Sequence, residues 1–269
     1  MIAGLPSLTA RLVAGYRALE DRRNDGVLRD PFAIDALGIV SRAALRSGFA
    51  TYTPHHRRLQ TSVALRHRAL DDGMLAEVAA GASRVLILGA GFDARAWRFP
   101  DALRDVRVAE VDAPSTSALK AKLSVRWPGR PPERLTTDFA QEDLGDALDR
   151  HGWGDAERTC VLWEGVTMYL PASAIKATLG ALAPRLAPGS AVWLDGWAPS
   201  TAVHAFERQL VRLVGEPIRW SGRPDDLLRL ASPHGYDLTV ASNSAELGAR
   251  YAPRRPVHPA SWVARLERS

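Results

Sequence analysis

Cysteine is nearly absent from this chain. The single one, Cys160, excludes an internal disulfide and any cysteine-based metal cluster. Its place in the apolar stretch Cys160-Val-Leu-Trp marks it as a core thiol, and no metal site is expected. Lysine is scarce, occurring only at positions 120, 122 and 176, so the formal charge of +5 and the pI near 9.8 rest on arginine. Those arginines are scattered among acids and are not interleaved with aromatic residues, which argues against nucleic acid as a partner. Their densest excess is the tail, where Arg250, Arg254, Arg255, Arg265 and Arg268 face only Glu267. No apolar run approaches the ~18 residues that a bilayer span needs, so no membrane partner is expected. The N-terminus lacks a charged-then-apolar leader pattern, so a cytoplasmic location is expected. Repeats and low-complexity tracts are missing as well. What 269 residues allow is one α/β domain with elaborations.

The most informative stretch is Val85-Leu-Ile-Leu-Gly-Ala-Gly-Phe-Asp-Ala-Arg95. Its uninterrupted apolar start reads as a strand buried on both faces. Gly89 and Gly91 then let the backbone turn tightly and approach a ligand. Asp112 follows Gly91 by 21 positions and closes a second apolar segment, a spacing that fits one crossover and one strand and sets a carboxylate for a ribose diol. The loop also satisfies the loose dinucleotide pattern, so a dinucleotide-dependent oxidoreductase is the alternative. Asp93 weighs against it, because a second negative charge beside a pyrophosphate is unfavourable. Asp93 either caps the short helix after the turn or faces a cationic ligand.

Ahead of this stretch, residues 7–21, 31–46 and 55–80 read as helices. On the last of these, Arg66 shares a stripe with Leu59, Val63 and Leu70. An inward-facing guanidinium demands an anion, either an internal acid or a carboxylate on a ligand. After it, strands at 133–137, 159–163 and 191–194 alternate with helices near 114–127, 140–151 and 172–186. Weaker strand candidates lie near 216–220 and 237–241, with helices around 201–214 and 224–232. The alternation predicts a Rossmann-like, doubly wound, mostly parallel seven-stranded sheet. Residues 1–80 are expected to form an N-terminal helical cap or lid. Residues 81–269 are expected to form the core, with lid elements about 200–235. The predicted carboxyl ends of the strands carry Gly89, Gly91, Asp93, Asp112, Asp138 and Glu164, and a crevice with so many acids suits a cationic, donor-rich ligand.

Together, Val63-Ala-Leu-Arg-His-Arg-Ala-Leu-Asp-Asp72, Leu88-Gly-Ala-Gly-Phe-Asp-Ala-Arg95, Glu110-Val-Asp112 and Trp163-Glu-Gly-Val-Thr-Met-Tyr-Leu170 resemble the class I S-adenosylmethionine-dependent methyltransferases of the leucine carboxyl methyltransferase type. That group includes bacterial relatives that O-methylate polyketides. The resemblance spans roughly residues 10 to 195. It implies S-adenosyl-L-methionine as cofactor, with Arg66 on its carboxylate and the backbone of Gly89, Ala90 and Gly91 beneath its methionine portion. Asp112 would then hold the ribose hydroxyls, Asp138 the adenine amine and Phe139 the adenine ring, and Glu164 would face the ammonium. His67 and Ala94 depart from the group, where threonine or a small hydroxyl residue is usual. The implied activity is O-methylation of a carboxylate or hydroxyl on a small molecule such as a polyketide-type secondary metabolite. Carboxyl methylation of a protein C-terminus is a further alternative. His55, His56 and His204 fall in segments expected to roof the crevice, and none is assigned as a catalytic base.

Overall fold

The computed structural model describes residues 8–37, 54–137, 143–199 and 217–269. Helix α1 (Leu8–Asp21) precedes the long helix α2 (Pro54–Ala79), which leads into strand β1 (Arg84–Leu88). A single turn of helix, α3 (Arg95–Arg98), then connects to β2 (Arg107–Asp112). The alternation continues through α4 (Pro114–Leu123), β3 (Glu133–Thr136), α5 (Leu144–Arg150), β4 (Thr159–Trp163), α6 (Ala172–Leu182) and β5 (Ala191–Trp197). It closes with α7 (Pro224–Ala231), β6 (Tyr236–Asn243), α8 (Ser244–Tyr251) and β7 (Ser261–Arg268).

The seven strands form one sheet in the order β3-β2-β1-β4-β5-β7-β6, parallel from β3 to β5, with β7 antiparallel to both its neighbours. The chain winds outward from β1 through β2 to β3, then returns to start β4 on the other side of β1. That reversal opens a crevice beyond the carboxyl ends of β1 and β4, where doubly wound sheets hold their ligands.

Alternation along the strands builds two apolar layers. Leu86, Leu88, Val111, Val161, Trp163, Val192 and Leu194 meet α5, α6 and α7 on one face. Val85, Ile87, Cys160 and Leu162 meet Leu65, Leu70 and Met74 of α2 on the other. Residues 54–79, expected in the N-terminal cap, therefore share an apolar layer with the sheet.

The seventh strand lies elsewhere than the weaker candidates place it. Residues 217–220 are not a strand; the Arg219 and Trp220 amides both donate to the Met168 carbonyl, at 2.8 and 3.2 Å. The strand is instead Ser261–Arg268, within the stretch that reads as a basic tail. Trp262, Ala264 and Leu266 face the α6 side, and Arg265 on the opposite face bonds to Glu77 of α2 at 2.6 Å. Arg255 likewise forms a two-bonded pair with buried Glu20 of α1, at 2.6 and 2.7 Å. Of the five tail arginines, Arg255, Arg265 and Arg268 are thus engaged within the fold, while Arg250 and Arg254 are exposed. Among the described residues no helix is long and apolar enough to cross a membrane.

Candidate functional site

Register brings the sequence-predicted residues of the first three strands together. Leu88 stands beside Val111, and Asp112 beside Thr136, so the loop after β1 lies against the end of β2. The strand bodies are buried, whereas Gly89, Gly91, Asp112, Glu164 and Gly165 at their carboxyl ends are partly exposed. Gly89 and Gly91 have φ of +62° and +51°, a left-handed backbone that glycine adopts without penalty. A Cβ at Gly89 would stand 2.5 Å from Cγ2 of Val166, and one at Gly91 3.3 Å from Cβ of Ala10 on α1. Ala90 between them is buried, and its amide donates to the Val111 carbonyl at 3.3 Å. The carboxylate of Asp112 accepts the Gly91 amide at 2.5 Å and the Ala113 amide at 2.6 Å. Two backbone donors thus fix its plane, one on each oxygen. Asp138 and Phe139 lie outside the described residues.

The second half of the site starts at β4. Trp163 stands beside Leu194, which sets Glu164 next to Asp195 at the end of β5. Arg66 reaches both from α2, as its stripe predicts, with its side chain only 10% exposed. Its Nε donates to Glu164 Oε1 and its Nη1 to Asp195 Oδ2, each at 3.0 Å. The anions its burial demands are therefore internal acids. Nη2 makes no hydrogen bond among the described residues; it lies at partly exposed Gly165, whose Cβ, if present, would be 3.2 Å away. Asp195 also accepts the Gly165 amide at 2.6 Å.

Beneath Glu164 lies a cluster of charge that sequence reasoning did not assemble. Arg95 on α3 is fully buried and donates to Asp71 at 2.7 Å and to Glu164 Oε2 at 2.7 Å, and it pairs with Asp93. Asp93 also accepts the Arg95 amide at 2.8 Å. Asp93 thus accepts the first amide of the turn of helix and meets a cation, but that cation belongs to the protein. His67, fully buried, lies 2.9 Å from Glu164 Oε2 through Nδ1 and 2.8 Å from Arg98 Nη1 through Nε2. Arg98 in turn bonds to Asp71 at 2.5 Å. Potential ligand atoms of His67, Asp93 and Glu164 lie within 4.8 Å of one another, but the cation held among them is the guanidinium of Arg95.

The cluster settles the ionisation of its members. Burial would raise the Glu164 carboxyl, but His67, Arg95 and Arg66 overcome it and hold Glu164 well below the usual carboxylate range. Asp93, equally buried, is brought down to about 2, chiefly by Arg95. Asp195 goes the other way: burial pushes its carboxyl up against the pull of Arg66 and the Gly165 amide. Burial, reinforced by Arg95, lowers the His67 imidazolium below its ordinary value, against the opposing pull of Glu164 and Asp71. Arg98 Nη1, which can only donate, lies against Nε2, and that contact favours the neutral ring as well.

Of the histidines named as possible bases, His56 pairs through Nδ1 with the Tyr16 hydroxyl at 2.7 Å. The side chain of His55 and all of His204 lie outside the described residues. The residues that sequence reasoning missed are Asp71, Arg95, Arg98 and Asp195. For Asp195 a signal existed, because it too ends an apolar strand.

The sequence pattern that defines the leucine carboxyl methyltransferase family matches residues 10–183. A Streptomyces coelicolor protein, provisionally named an S-adenosyl-L-methionine-dependent methyltransferase, is 34% identical over 202 residues, which cover 71% of this chain and 66% of that protein. A Rhodococcus jostii protein of the same provisional name is 28% identical over 276 aligned positions, covering 97% of this chain and 92% of its own. Among solved structures, a provisionally named methyltransferase from Thermobifida fusca superposes with a TM-score of 0.59 at 17% identity, covering 100% of this chain and 97% of that one. At that identity the likeness speaks for the fold.

Proposed function

This chain belongs to the leucine carboxyl methyltransferase family, the premise from which we propose that it transfers a methyl group to an oxygen of a small molecule, a carboxylate or hydroxyl on a polyketide-type secondary metabolite. Membership makes it an S-adenosylmethionine-dependent methyltransferase. When bound, the cofactor supplies a methyl carbon made electrophilic by its sulfonium.

The residues present fit that cofactor. Three guanidinium groups, Arg66, Arg95 and Arg98, face four carboxylates, Asp71, Asp93, Glu164 and Asp195, while His67 is neutral. That cluster holds one more carboxylate than guanidinium. S-adenosylmethionine carries one net positive charge, which suits that excess; a dinucleotide pyrophosphate would add to it. The oxidoreductase reading loses its anion site as well, since α3 is a single turn whose amide end is occupied by Asp93.

The observation that carries the assignment of residues is the divided commitment of Arg66. Two of its nitrogens hold Glu164 and Asp195 in place, and Nη2 remains to donate to the cofactor carboxylate at the lip formed by Gly165. Glu164, kept ionised, takes the ammonium side. Asp112, with its plane set by Gly91 and Ala113, accepts the ribose hydroxyls. Ala90 and the flanking glycines pass beneath the methionine portion, and Asp138 and Phe139 take the adenine end.

Oxygen is favoured as the acceptor atom by the state of these acids. Each carboxylate of the cluster is tied to a guanidinium, and Glu164 and Asp93 are held as weak bases. An acceptor already ionised near neutral pH needs no proton removed, which ranks a carboxylate ahead of a hydroxyl. In-line attack then depends on positioning, worth on the order of 7–11 kcal/mol when the reacting atoms are held close.

The test is transfer of labelled methyl from S-adenosylmethionine to separate sets of small carboxylic acids, phenols and peptides with free C-termini. Label in an extractable product that mild base releases as methanol is expected for an ester, and base-stable label for an aryl ether. Label confined to peptide would overturn the small-molecule reading. Binding of a nicotinamide dinucleotide in preference to S-adenosylhomocysteine would overturn the whole assignment.

A further inference from the structure

We propose that His67 is a positioning residue for Glu164, a neutral imidazole fixed in one tautomer that donates from Nδ1 to the carboxylate and accepts at Nε2 from Arg98. The proposal rests on the reading of Glu164 as the group facing the cofactor ammonium.

The tautomer follows from the partners. Arg98 Nη1 lies 2.8 Å from Nε2, and a guanidinium can only donate, so Nε2 must be the bare nitrogen. The proton of the neutral ring then sits on Nδ1, which faces Glu164 Oε2 at 2.9 Å and Oε1 at 3.1 Å. Arg95 Nη2 also lies 3.0 Å from this nitrogen, but it has other acceptors in Glu164 Oε2 at 2.7 Å and the His67 carbonyl at 3.3 Å. The carboxylate of Glu164, in contrast, can only accept and so takes the Nδ1 proton.

The charged groups facing the ring are Asp71 on its own helix, Arg95 and Arg98 on α3, Asp93 in the loop before α3 and Glu164 after β4. Protonating Nε2 would set a cation against Arg98 and remove the nearer acceptor of its Nη1, leaving that nitrogen Asp71 at 3.3 Å. The ring therefore stays neutral and insulates the two guanidiniums from each other while directing one N–H at the carboxylate.

Glu164 is thereby held from three sides: Arg66 on Oε1, Arg95 on Oε2, and His67 across both oxygens. Of the three donors only His67 is uncharged. It orients the carboxylate without cancelling its charge, and charge is what an ammonium ligand requires.

The experiment pairs two substitutions with a spectroscopic readout. His67→Asn retains a donor near the position of Nδ1, whereas His67→Gln offers an acceptor near that of Nε2 and loses the donor. The expected result is that affinity for S-adenosylhomocysteine stays within about threefold of wild type in His67→Asn and falls about tenfold or more in His67→Gln, the size of one hydrogen bond to a charged group. Nitrogen NMR of the histidine-labelled, cofactor-free protein should show His67 protonated at Nδ1 alone, unchanged from about pH 8 to about pH 5.5. Equal loss of affinity in both variants, or affinity unchanged in both with lowered melting temperatures, would overturn the positioning role. So would an Nε2–H or doubly protonated ring. The NMR arm is independent of ligand, so a wild-type protein that ignored S-adenosylhomocysteine yet showed the expected tautomer would refute the cofactor reading of Glu164 by itself.

Discussion

Replacing Arg66 by methionine removes the side chain on which both halves of the crevice depend. Met approximates the length of the aliphatic stem, so the packing beside Val63 and Leu70 survives and the change isolates the charge. Glu164 keeps His67 and Arg95 as partners, but Asp195 is left with the Gly165 amide alone among the hydrogen bonds described. Breaking one side of a buried pair typically costs ~3–5 kcal/mol, because the remaining charge is stranded away from water. In a chain of this size that lowers the melting temperature by roughly 10 °C.

Two controls identify the cause. Without Arg66 the Asp195 carboxyl rises further above its unfolded value, so the deficit grows as pH rises through the carboxylate range and shrinks as pH falls back through it. The double variant Arg66→Met/Asp195→Asn, which has no stranded charge, should recover about 1–3 kcal/mol of the loss. Thermal melts with and without S-adenosylhomocysteine measure all of this, and the single variant should also lose most of the ligand-induced rise. An unchanged melt of the empty variant would refute the internal pairing. A large drop with an undiminished ligand shift would refute the role toward the cofactor.

Three further outcomes are expected. Asp112→Ala should weaken S-adenosylhomocysteine binding by ~1.5–3 kcal/mol in calorimetry if its carboxylate is the diol acceptor, as proposed; unchanged affinity would rule that out. Gly89→Ala forces a Cβ to within 2.5 Å of Val166 in a left-handed backbone, so it should destabilise the fold by at least ~1–2 kcal/mol in denaturant melts and disturb binding as well. Asp93, with its folded value near 2 against an ordinary 3.8, contributes stability that is complete above pH 4 and lost as pH falls toward 2, worth roughly 2 kcal/mol; acid melts of Asp93→Asn should be flatter by that amount.

Strands β1, β4 and β5 were legible because each is an apolar run that ends at glycine or an acid, and burial on both faces writes that pattern directly. The last strand was not. Ser261–Arg268 lies between β5 and β6, where its buried residues alternate with side chains that need only be paired. Arg265 and Glu267 break the apolar run, so the stretch reads as a charged tail until Glu77, nearly 190 residues earlier, is seen to meet Arg265. Long-range pairing of this kind leaves no local trace.

The site divides along the same line. Gly89, Gly91 and Asp112 were readable because one strand–turn–strand unit carries them, and their spacing is the geometry. Arg66 was readable as inward-facing, since helical periodicity sets direction, but its partners were not, because Glu164 and Asp195 come from strands about a hundred residues on. His67 shows the limit most clearly. By sequence it stands where the resemblance implies threonine or a small hydroxyl residue, and it carries no assignable bond. In the fold it is fully buried between Glu164 and Arg98, and those two neighbours determine which of its nitrogens bears the proton. A hydroxyl at this position could not span the same gap. The substitution therefore belongs with Arg95 and Arg98 as one unit, in which the larger ring fills the space between two guanidiniums and a carboxylate. Threonine alone at this position should leave Arg98 Nη1 with only the longer bond to Asp71, at 3.3 Å, among the described residues.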